Sequence, residues 1–131
     1  MKSIFIPGNV ASSKNSKQWT GKYLVWSKVA QKYRANTAWY WKIYKGEFHK
    51  MLEGKEKPYK VAFFFVRDSK RKFDFVNVVQ TCQDIMCEYS WLEDDCIDIM
   101  LPVPVPELDP IYGTRWYAVD KDKPGVYISV L

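Results

Sequence analysis

The sequence predicts an α+β domain in which a mixed β-sheet carries about two main helices on one side. Residues 59–66 (YKVAFFFV) are almost all apolar, as in a central strand that is covered on both faces. Two other stretches repeat apolar residues at spacings of three and four, as amphipathic helices do. Further strand patterns outnumber these helices and end in a hairpin-like pair, which favours a mixed sheet. With 131 residues, the chain has room for one core and therefore one domain.

The two helix patterns lie on either side of the central strand. The first follows Ser27, a suitable N-cap, and runs to about residue 44. The second follows Asp74 and ends at Trp91-Leu92. The other predicted strands are 1–7, 23–26, 96–101, 112–119 and 126–131. Four prolines within 102–110 exclude a central strand there and predict an edge or wrapping segment.

Composition and motifs exclude several classes of protein. No apolar run approaches the roughly 20 residues of a membrane span, and the apolar core of MKSIFIPGN is too short for a signal peptide. Cys82, Cys87 and Cys96 lack zinc-site spacing and are interpreted as one core residue followed by two incidental thiols. His49 is the single histidine, so no multi-histidine metal site can form within the chain. Neither phosphate-binding glycine motif occurs.

Charge divides the chain in two at the start of the second helix. Residues 1–73 hold 17 Lys and Arg against four Asp and Glu, whereas residues 74–131 hold three against 11. A basic half suits a polyanion such as DNA, because each phosphate that it neutralises releases condensed counterions. Carboxylates beside it would repel that polyanion unless cations lay between them, which is the arrangement that a metal-dependent nuclease needs. The alternative is a chance distribution of surface charge in a small protein.

The second helix has an acidic outward side. At about 100° per residue, its inward side comprises Phe75, Val78, Val79, Cys82, Ile85 and Met86. Its outward side comprises Asp74, Asn77, Thr81, Asp84 and Glu88. A solvated helix face is one interpretation of such a side. The other is a site for a hard cation, since Mg²⁺ takes oxygen ligands and often only one or two protein carboxylates. Asp74 and Asp95 can share an ion only if the chain folds back or a second molecule joins them.

Residues 71–95 carry a more specific pattern. In order, it comprises the basic run ending at Lys72, then Asp74-Phe75-Val76-Asn77, Asp84, Trp91-Leu92 and Asp94-Asp95. This series resembles the RusA family of Holliday junction resolvases, whose motif reads basic-x-Asp-x-Asp-Asn-x-x-Lys, then a helical Asp, an aromatic residue and a double Asp. The resemblance is loose over most of the chain and specific only in these residues. It implies a single RusA-like domain over residues 1–131 and an endodeoxyribonuclease that resolves branched DNA in recombination and repair.

The resemblance also implies a cofactor, a site and a partner. Members of the family hold Mg²⁺ with three acidic residues, and Mn²⁺ is an alternative ion. Matched position by position, the resemblance implies Asp74 and Asp95 as catalytic residues and metal ligands. The nearest residues that could complete the site are Asn77, as a further catalytic residue with an amide oxygen, and Asp84 or Asp94, as further metal ligands, with Asp98 beyond them. The family acts on branched DNA as a homodimer. Its members are typically encoded by phages and prophages, which implies a cytoplasmic protein of bacterial or phage origin without membrane association.

Two positions depart from the family motif. Val76 stands where the second Asp is expected and cannot bind a metal. Gln80 stands where the Lys is expected and has no charge to place on a phosphate. An alternative function is therefore a non-cleaving protein that binds branched DNA and keeps the fold and basic surface. A third interpretation is that the resemblance misleads and the chain is a small basic interaction domain.

Five basic residues are the expected DNA contacts. A strand that leads into a basic loop and then a helix N-terminus concentrates positive potential beside Asp74. Lys70, Arg71 and Lys72 of that loop are therefore expected to hold the phosphate backbone. Lys14 and Lys17, in the polar stretch 10–22, are the further expected contacts. The alternative for both groups is an exposed loop whose charges serve solubility.

Overall fold

The computed structural model describes residues 2–15, 17–22 and 24–131, with the backbone alone at 15, 17 and 18. The strands are β1 (Ile4–Pro7), β2 (Lys17–Trp19), β3 (Leu24–Trp26), β4 (Tyr59–Arg67), β5 (Met100–Pro104), β6 (Tyr117–Val119) and β7 (Gly125–Val130). The helices are α1 (Lys28–Ile43), α2 (Lys45–Leu52) and α3 (Phe75–Glu88), and a 3₁₀ turn spans Ser13–Asn15. These elements form the predicted α+β domain.

The main sheet is mixed, as predicted, and β4 lies at its centre. The strand order is β1-β7-β4-β5, with β7 antiparallel to β1 and β4, and β5 parallel to β4. The short β6 also pairs with β4 in parallel, so Phe63 lies opposite Pro104 of β5 and Phe65 lies opposite Tyr117 of β6. β6 and β7 thus flank β4 on opposite sides. The hairpin-like pairing predicted for the end of the chain is therefore wrong.

Both faces of β4 are buried because its side chains are apolar in an unbroken run. Side chains alternate between the faces of a strand, and Phe63 and Phe65 belong to the core on the helix side. Phe64 and Val66 point the other way, where they join a smaller cluster. That cluster is covered by Val105, Tyr112 and Tyr127. The prediction of a central strand with two covered faces is confirmed.

The helices contribute to the core on one face of the sheet. Ser27 caps α1, since its Oγ accepts a hydrogen bond from the Ala30 N–H at 3.2 Å. The short helix α2 buries Phe48, whose ring stacks on Trp91 with centroids 4.9 Å apart. The inward side predicted for α3 is buried at Val78, Val79, Cys82, Ile85 and Met86, with Phe75 half-buried. No helix in the described ranges has both the length and the apolar character needed to cross a membrane.

The segment after α3 differs from the prediction at two strands. Of the strand predicted at 112–119, only Tyr117–Val119 is a strand, because a turn closed by the Gly113 N–H and the Asp109 carbonyl precedes it. Residues 97–99 form a turn, and the strand begins at Met100 and not at residue 96. Pro102 and Pro104 lie inside β5. A strand at the edge of a sheet tolerates proline because the missing N–H is needed on one side only. The predicted edge segment is therefore confirmed, and its first part is a regular strand.

Candidate metal and nucleic-acid site

The basic loop after β4 and the first residues of α3 share one surface groove, here called the basic groove. It has a volume of ≈ 600 Å³, and Lys70, Arg71, Lys72 and Asp74 line one part of it. The three basic side chains are exposed. Arg67 anchors the start of this loop by donating a hydrogen bond to the Val10 carbonyl at 2.8 Å. Three of the expected DNA contacts therefore lie together, beside the first expected metal ligand.

Lys14 lies on the 3₁₀ turn Ser13–Asn15, which packs beside α3. The neighbouring segment is fixed to the helix because the Thr81 hydroxyl donates a hydrogen bond to the Ala11 carbonyl at 2.6 Å. Thr81 is therefore buried, and its prediction as an outward residue is wrong. Lys14 itself is exposed near the helix. The side chain of Lys17 lies outside the described part of the structure, so its predicted DNA contact stays a prediction.

Asp74 and Asn77 form the first polar contact of α3. Asp74 is the N-cap residue by position, but its side chain makes no capping hydrogen bond. Instead, its Oδ2 accepts a hydrogen bond from Asn77 Nδ2 at 3.2 Å. The carboxylate is exposed. Asn77 thus holds a solvent-accessible carboxylate at the end of the helix that borders the basic groove.

Gln80 forms the second polar contact, and it joins two carboxylates. Its Nε2 donates to Asp84 Oδ1 at 2.7 Å and to Asp95 Oδ2 at 3.3 Å. Both carboxylates are half-buried. Asp95 therefore lies beside the middle of α3, although it follows the end of that helix by seven residues. The chain folds back, but it brings Asp95 to Asp84 and not to Asp74, with which a shared ion was expected.

The return of Asp95 depends on residues 89–95, here called the return segment. The Trp91 N–H donates to the Met86 carbonyl at 2.8 Å, and Ser90 adopts a positive φ of 63°. This backbone conformation reverses the chain at the end of the helix. The buried Trp91 indole then donates to the Trp41 carbonyl at 2.6 Å, which fixes the segment to α1.

Cys87 reports the charge of this region. Partial burial, together with the carboxylates of Asp95, Asp94 and Asp84, raises the pKa of its thiol to about 11. Negative charge nearby disfavours a thiolate. Three of the four expected metal ligands therefore lie close enough to act on one side chain, and they are here called the acidic cluster.

The expected ligands thus separate into two groups along α3. Asp74 contacts Asn77, while Asp84 and Asp95 meet at Gln80, about 9 Å further along the helix at 1.5 Å per residue. Among residues 2–15, 17–22 and 24–131, no three His, Cys, Asp or Glu side chains form a group arranged to hold a metal. Mg²⁺ often takes only one or two protein carboxylates, and completes its shell with waters and substrate phosphates. Asp84 and Asp95 fit that smaller requirement.

Val76 and Gln80, the two departures from the RusA motif, have different environments. Val76 is 73% exposed, so its apolar side chain points into solvent between the positions of Asp74 and Asn77. Gln80 is half-buried, and its amide nitrogen already donates hydrogen bonds to Asp84 and Asp95. An aspartate would fit at 76 without any change in packing, whereas a lysine at 80 would replace two existing hydrogen bonds.

Trp116 and Tyr117 also line the basic groove, and the sequence interpretation assigned them only to a strand. Both are well exposed. The signal available in the sequence was an aromatic pair directly after Arg115, in a chain already expected to bind DNA.

Compared with models of known protein families and with curated proteins, the chain matches none. The likeness to RusA resolvases therefore rests on the sequence of residues 71–95 alone.

Proposed function

We propose that the chain is a RusA-like endodeoxyribonuclease that acts on branched DNA as a homodimer and uses Mg²⁺ or Mn²⁺. The observation that supports this most strongly is the contact of Asp95 with Gln80 at the middle of α3. That contact brings the last acidic residue of the motif back to the helix whose N-cap is Asp74. The exposed basic loop beside Asp74 supplies the positive charge that a DNA backbone requires.

Each group has a separate task in this proposal. Lys70, Arg71 and Lys72 hold backbone phosphates at the basic groove. Asp84 and Asp95 hold the cation, and Asn77 holds the Asp74 carboxylate at the border of the basic groove. When bound, the cation stabilises negative charge on the phosphoryl oxygens and lowers the pKa of the attacking water.

Cleavage of a labelled synthetic four-way junction tests the proposal. The wild-type protein, incubated with Mg²⁺ or Mn²⁺, is expected to cut two strands symmetrically. Asp95→Asn keeps the side-chain size and removes the charge, so cleavage is expected to fall by about 10²–10³-fold, as when one electrostatic contact to a transition state is lost. Asp122→Asn makes the same charge change on the exposed turn between β6 and β7 and is expected to leave cleavage unchanged.

Other outcomes of this experiment separate the remaining candidates. Unchanged cleavage by Asp95→Asn would contradict its assignment as a ligand. Tight junction binding with no cut in either metal would contradict the nuclease and support the non-cleaving protein. No preference for branched over linear DNA would support a basic interaction domain.

A non-cleaving protein that binds branched DNA is the second candidate, and Gln80 favours it. Its amide already satisfies Asp84 and Asp95 by hydrogen bonds. A neutral amide is also a weaker phosphate contact than an ammonium group. The exposed Val76 adds no ligand.

A gain-of-function variant distinguishes this candidate. Under the second function, Val76→Asp with Gln80→Lys is expected to cut the junction, while the wild-type protein binds it without cutting. Val29→Asp with Gln31→Lys makes the same chemical changes at two exposed positions of α1 and serves as the control. Equal cleavage by the wild-type protein and the double variant would exclude a site disabled at these two positions.

A further inference from the structure

Trp116 has a backbone conformation that bulky residues rarely adopt. Its φ is +75°, and the Tyr117 N–H donates to the Arg115 carbonyl at 2.8 Å across it. This closes a three-residue turn, a type that is rare and strained at positive φ. The Thr114 hydroxyl donates to the Tyr117 carbonyl at 2.9 Å and helps to hold the turn. The fold therefore maintains an unfavourable conformation at this tryptophan.

The strain is not offset by burial of the indole ring. Trp116 is 55% exposed and Tyr117 is 42% exposed. The Tyr117 ring is held edge-to-face by Phe73 at a centroid distance of 5.2 Å. Phe73 is fixed in turn by the Arg67 guanidinium, 4.8 Å above its ring. Trp116 and Tyr117, here called the aromatic ledge, thus lie at the surface, where the contacts of Phe73 hold the Tyr117 ring in place.

The aromatic ledge lines the same groove as the basic loop. Lys70, Arg71 and Lys72 line this ≈ 600 Å³ space together with Trp116 and Tyr117, and Asp74 is the acidic residue in its lining. The groove therefore combines apolar ring surface with an excess of positive charge. A purely apolar ligand would form no favourable contact with these cations, and a free phosphate ion would form none with the rings.

We propose that the basic groove binds one unpaired nucleotide, with its base on the aromatic ledge and its phosphate on the basic loop. Aromatic side chains stack on any base, because every base has a π-face, while Lys and Arg follow the backbone. In a duplex, both faces of a base are covered by its neighbours, so only an unpaired or unstacked base can occupy this ledge. The proposal rests on the proposed function for the choice of DNA as the partner. It adds that the nucleotide bound in this groove is unpaired.

Binding of a fluorescein-labelled oligothymidylate to the full chain, followed by anisotropy at fixed salt, tests this inference. Loss of one base stack is expected to weaken binding by about 5- to 150-fold in Trp116→Ala, from ~1–3 kcal/mol per base. Trp116→Phe keeps an aromatic face and is expected to retain most of the affinity. Trp116→Gly relieves the backbone strain and removes the ring, so the same loss is expected as for alanine. Trp39→Ala, at a 61% exposed tryptophan of α1, is the control.

A second readout uses an oligothymidylate that carries 2-aminopurine at one position. This base is brighter in a flexible single strand than in a duplex, and stacking on an indole quenches it, so the wild-type protein is expected to lower its fluorescence and Trp116→Ala is not. Junction binding by the wild-type protein that is unchanged in Trp116→Ala would overturn this inference and leave the proposed function intact. Trp116-dependent binding of oligothymidylate without affinity for junctions would uphold the inference and contradict the proposed function. Binding to a mixed-sequence apolar peptide, but to no DNA, would overturn both.

Discussion

Gln80 is neutral, and its neutrality decides how Asp84 and Asp95 are held together. A well-buried hydrogen bond to a charged acceptor contributes about 1.5–3 kcal/mol to folding stability. The two bonds of Gln80 contribute less, because both carboxylates are half-exposed. Two oxygens that accept from one nitrogen at 2.7 and 3.3 Å lie no more than about 6 Å apart, and at that separation two unit charges repel each other by roughly 1–3 kcal/mol at effective dielectric constants between about 80 and 20. The two effects are similar in size. The pair is therefore stable without a cation, yet it keeps the negative charge that would attract one.

Cys87 provides a direct test of Asp95 that does not depend on activity. Its thiol pKa is raised from an ordinary 9.0 to about 11, so the thiolate is scarce below pH 11. Asp95→Asn removes one of the negative charges that disfavour the thiolate and is expected to lower this pKa. Each unit of decrease raises the thiolate fraction at pH 9 about tenfold. The pH dependence of iodoacetamide alkylation, in a Cys96→Ser background, measures the effect.

The same assay reports a bound cation. Mg²⁺ or Mn²⁺ at Asp84 and Asp95 would cancel negative charge near Cys87, so the rate of alkylation at a fixed, mildly alkaline pH, where both ions stay in solution, is expected to rise when the ion is added. Removal of the ion with a chelator is expected to restore the original rate. Asp98→Asn, an exposed position that does not act on the Cys87 thiol, is the control. An unchanged midpoint in Asp95→Asn would show that Asp95 does not lie beside Cys87.

At the scale of elements, the return segment joins the acidic cluster to the core. Trp91 is fully buried, and its ring contacts Phe48 and Trp41 at centroid distances of 4.9 and 5.2 Å. Its indole N–H makes the hydrogen bond to the Trp41 carbonyl. Asp95 follows this anchor by only four positions. Packing on α1 and α2 therefore determines where a carboxylate lies on α3.

We expect Trp91→Phe to destabilise the domain by about 2–4 kcal/mol. The change removes a buried donor, leaves its acceptor without that bond and opens space beside Trp41. Urea denaturation followed by circular dichroism measures the free energy of unfolding. Trp39→Phe, at an exposed position of α1, is expected to change that free energy by no more than about 0.5 kcal/mol. Similar effects of the two variants would contradict an anchoring role for Trp91.

The elements that the sequence predicted well are those determined by local pattern. The unbroken apolar run of β4, the inward side of α3 and the Ser27 cap each follow from residues that are neighbours in the chain. The return of Asp95 does not, because it depends on a hydrogen bond between residues 50 positions apart. The burial of Thr81 has a similar cause, since its hydroxyl donates a hydrogen bond to the Ala11 carbonyl, 70 positions away in the chain. The strained turn at Trp116 has no distinctive residue such as glycine to indicate it.

At the scale of the whole molecule, folding brings the basic and acidic halves of the sequence into contact. Arg34 pairs with Glu88 at 2.5 Å, and Lys57 pairs with Glu93. Among the described residues, the ion pairs involve Lys2, Arg34 and Lys57 and not the loop 70–72. Exposed pairs of this kind contribute little stability. The loop 70–72 has no ion-pair partner among the described residues, so its three positive charges are free to contact phosphates.

The salt dependence of DNA binding tests whether the basic loop contacts the phosphates. Each phosphate contact contributes about −0.9 to the slope of log K against log salt on duplex DNA, because bound counterions are released. Replacing Lys70, Arg71 and Lys72 together by Gln is therefore expected to reduce the slope by about 2–3 for a four-way junction, measured by anisotropy from about 50 to 200 mM salt. Lys121→Gln with Lys123→Gln, on an exposed turn, is the control and is expected to leave the slope unchanged. Equal slopes for the wild-type protein and the triple variant would show that DNA binds to another surface. The charges of this loop would then serve only the solubility of the protein.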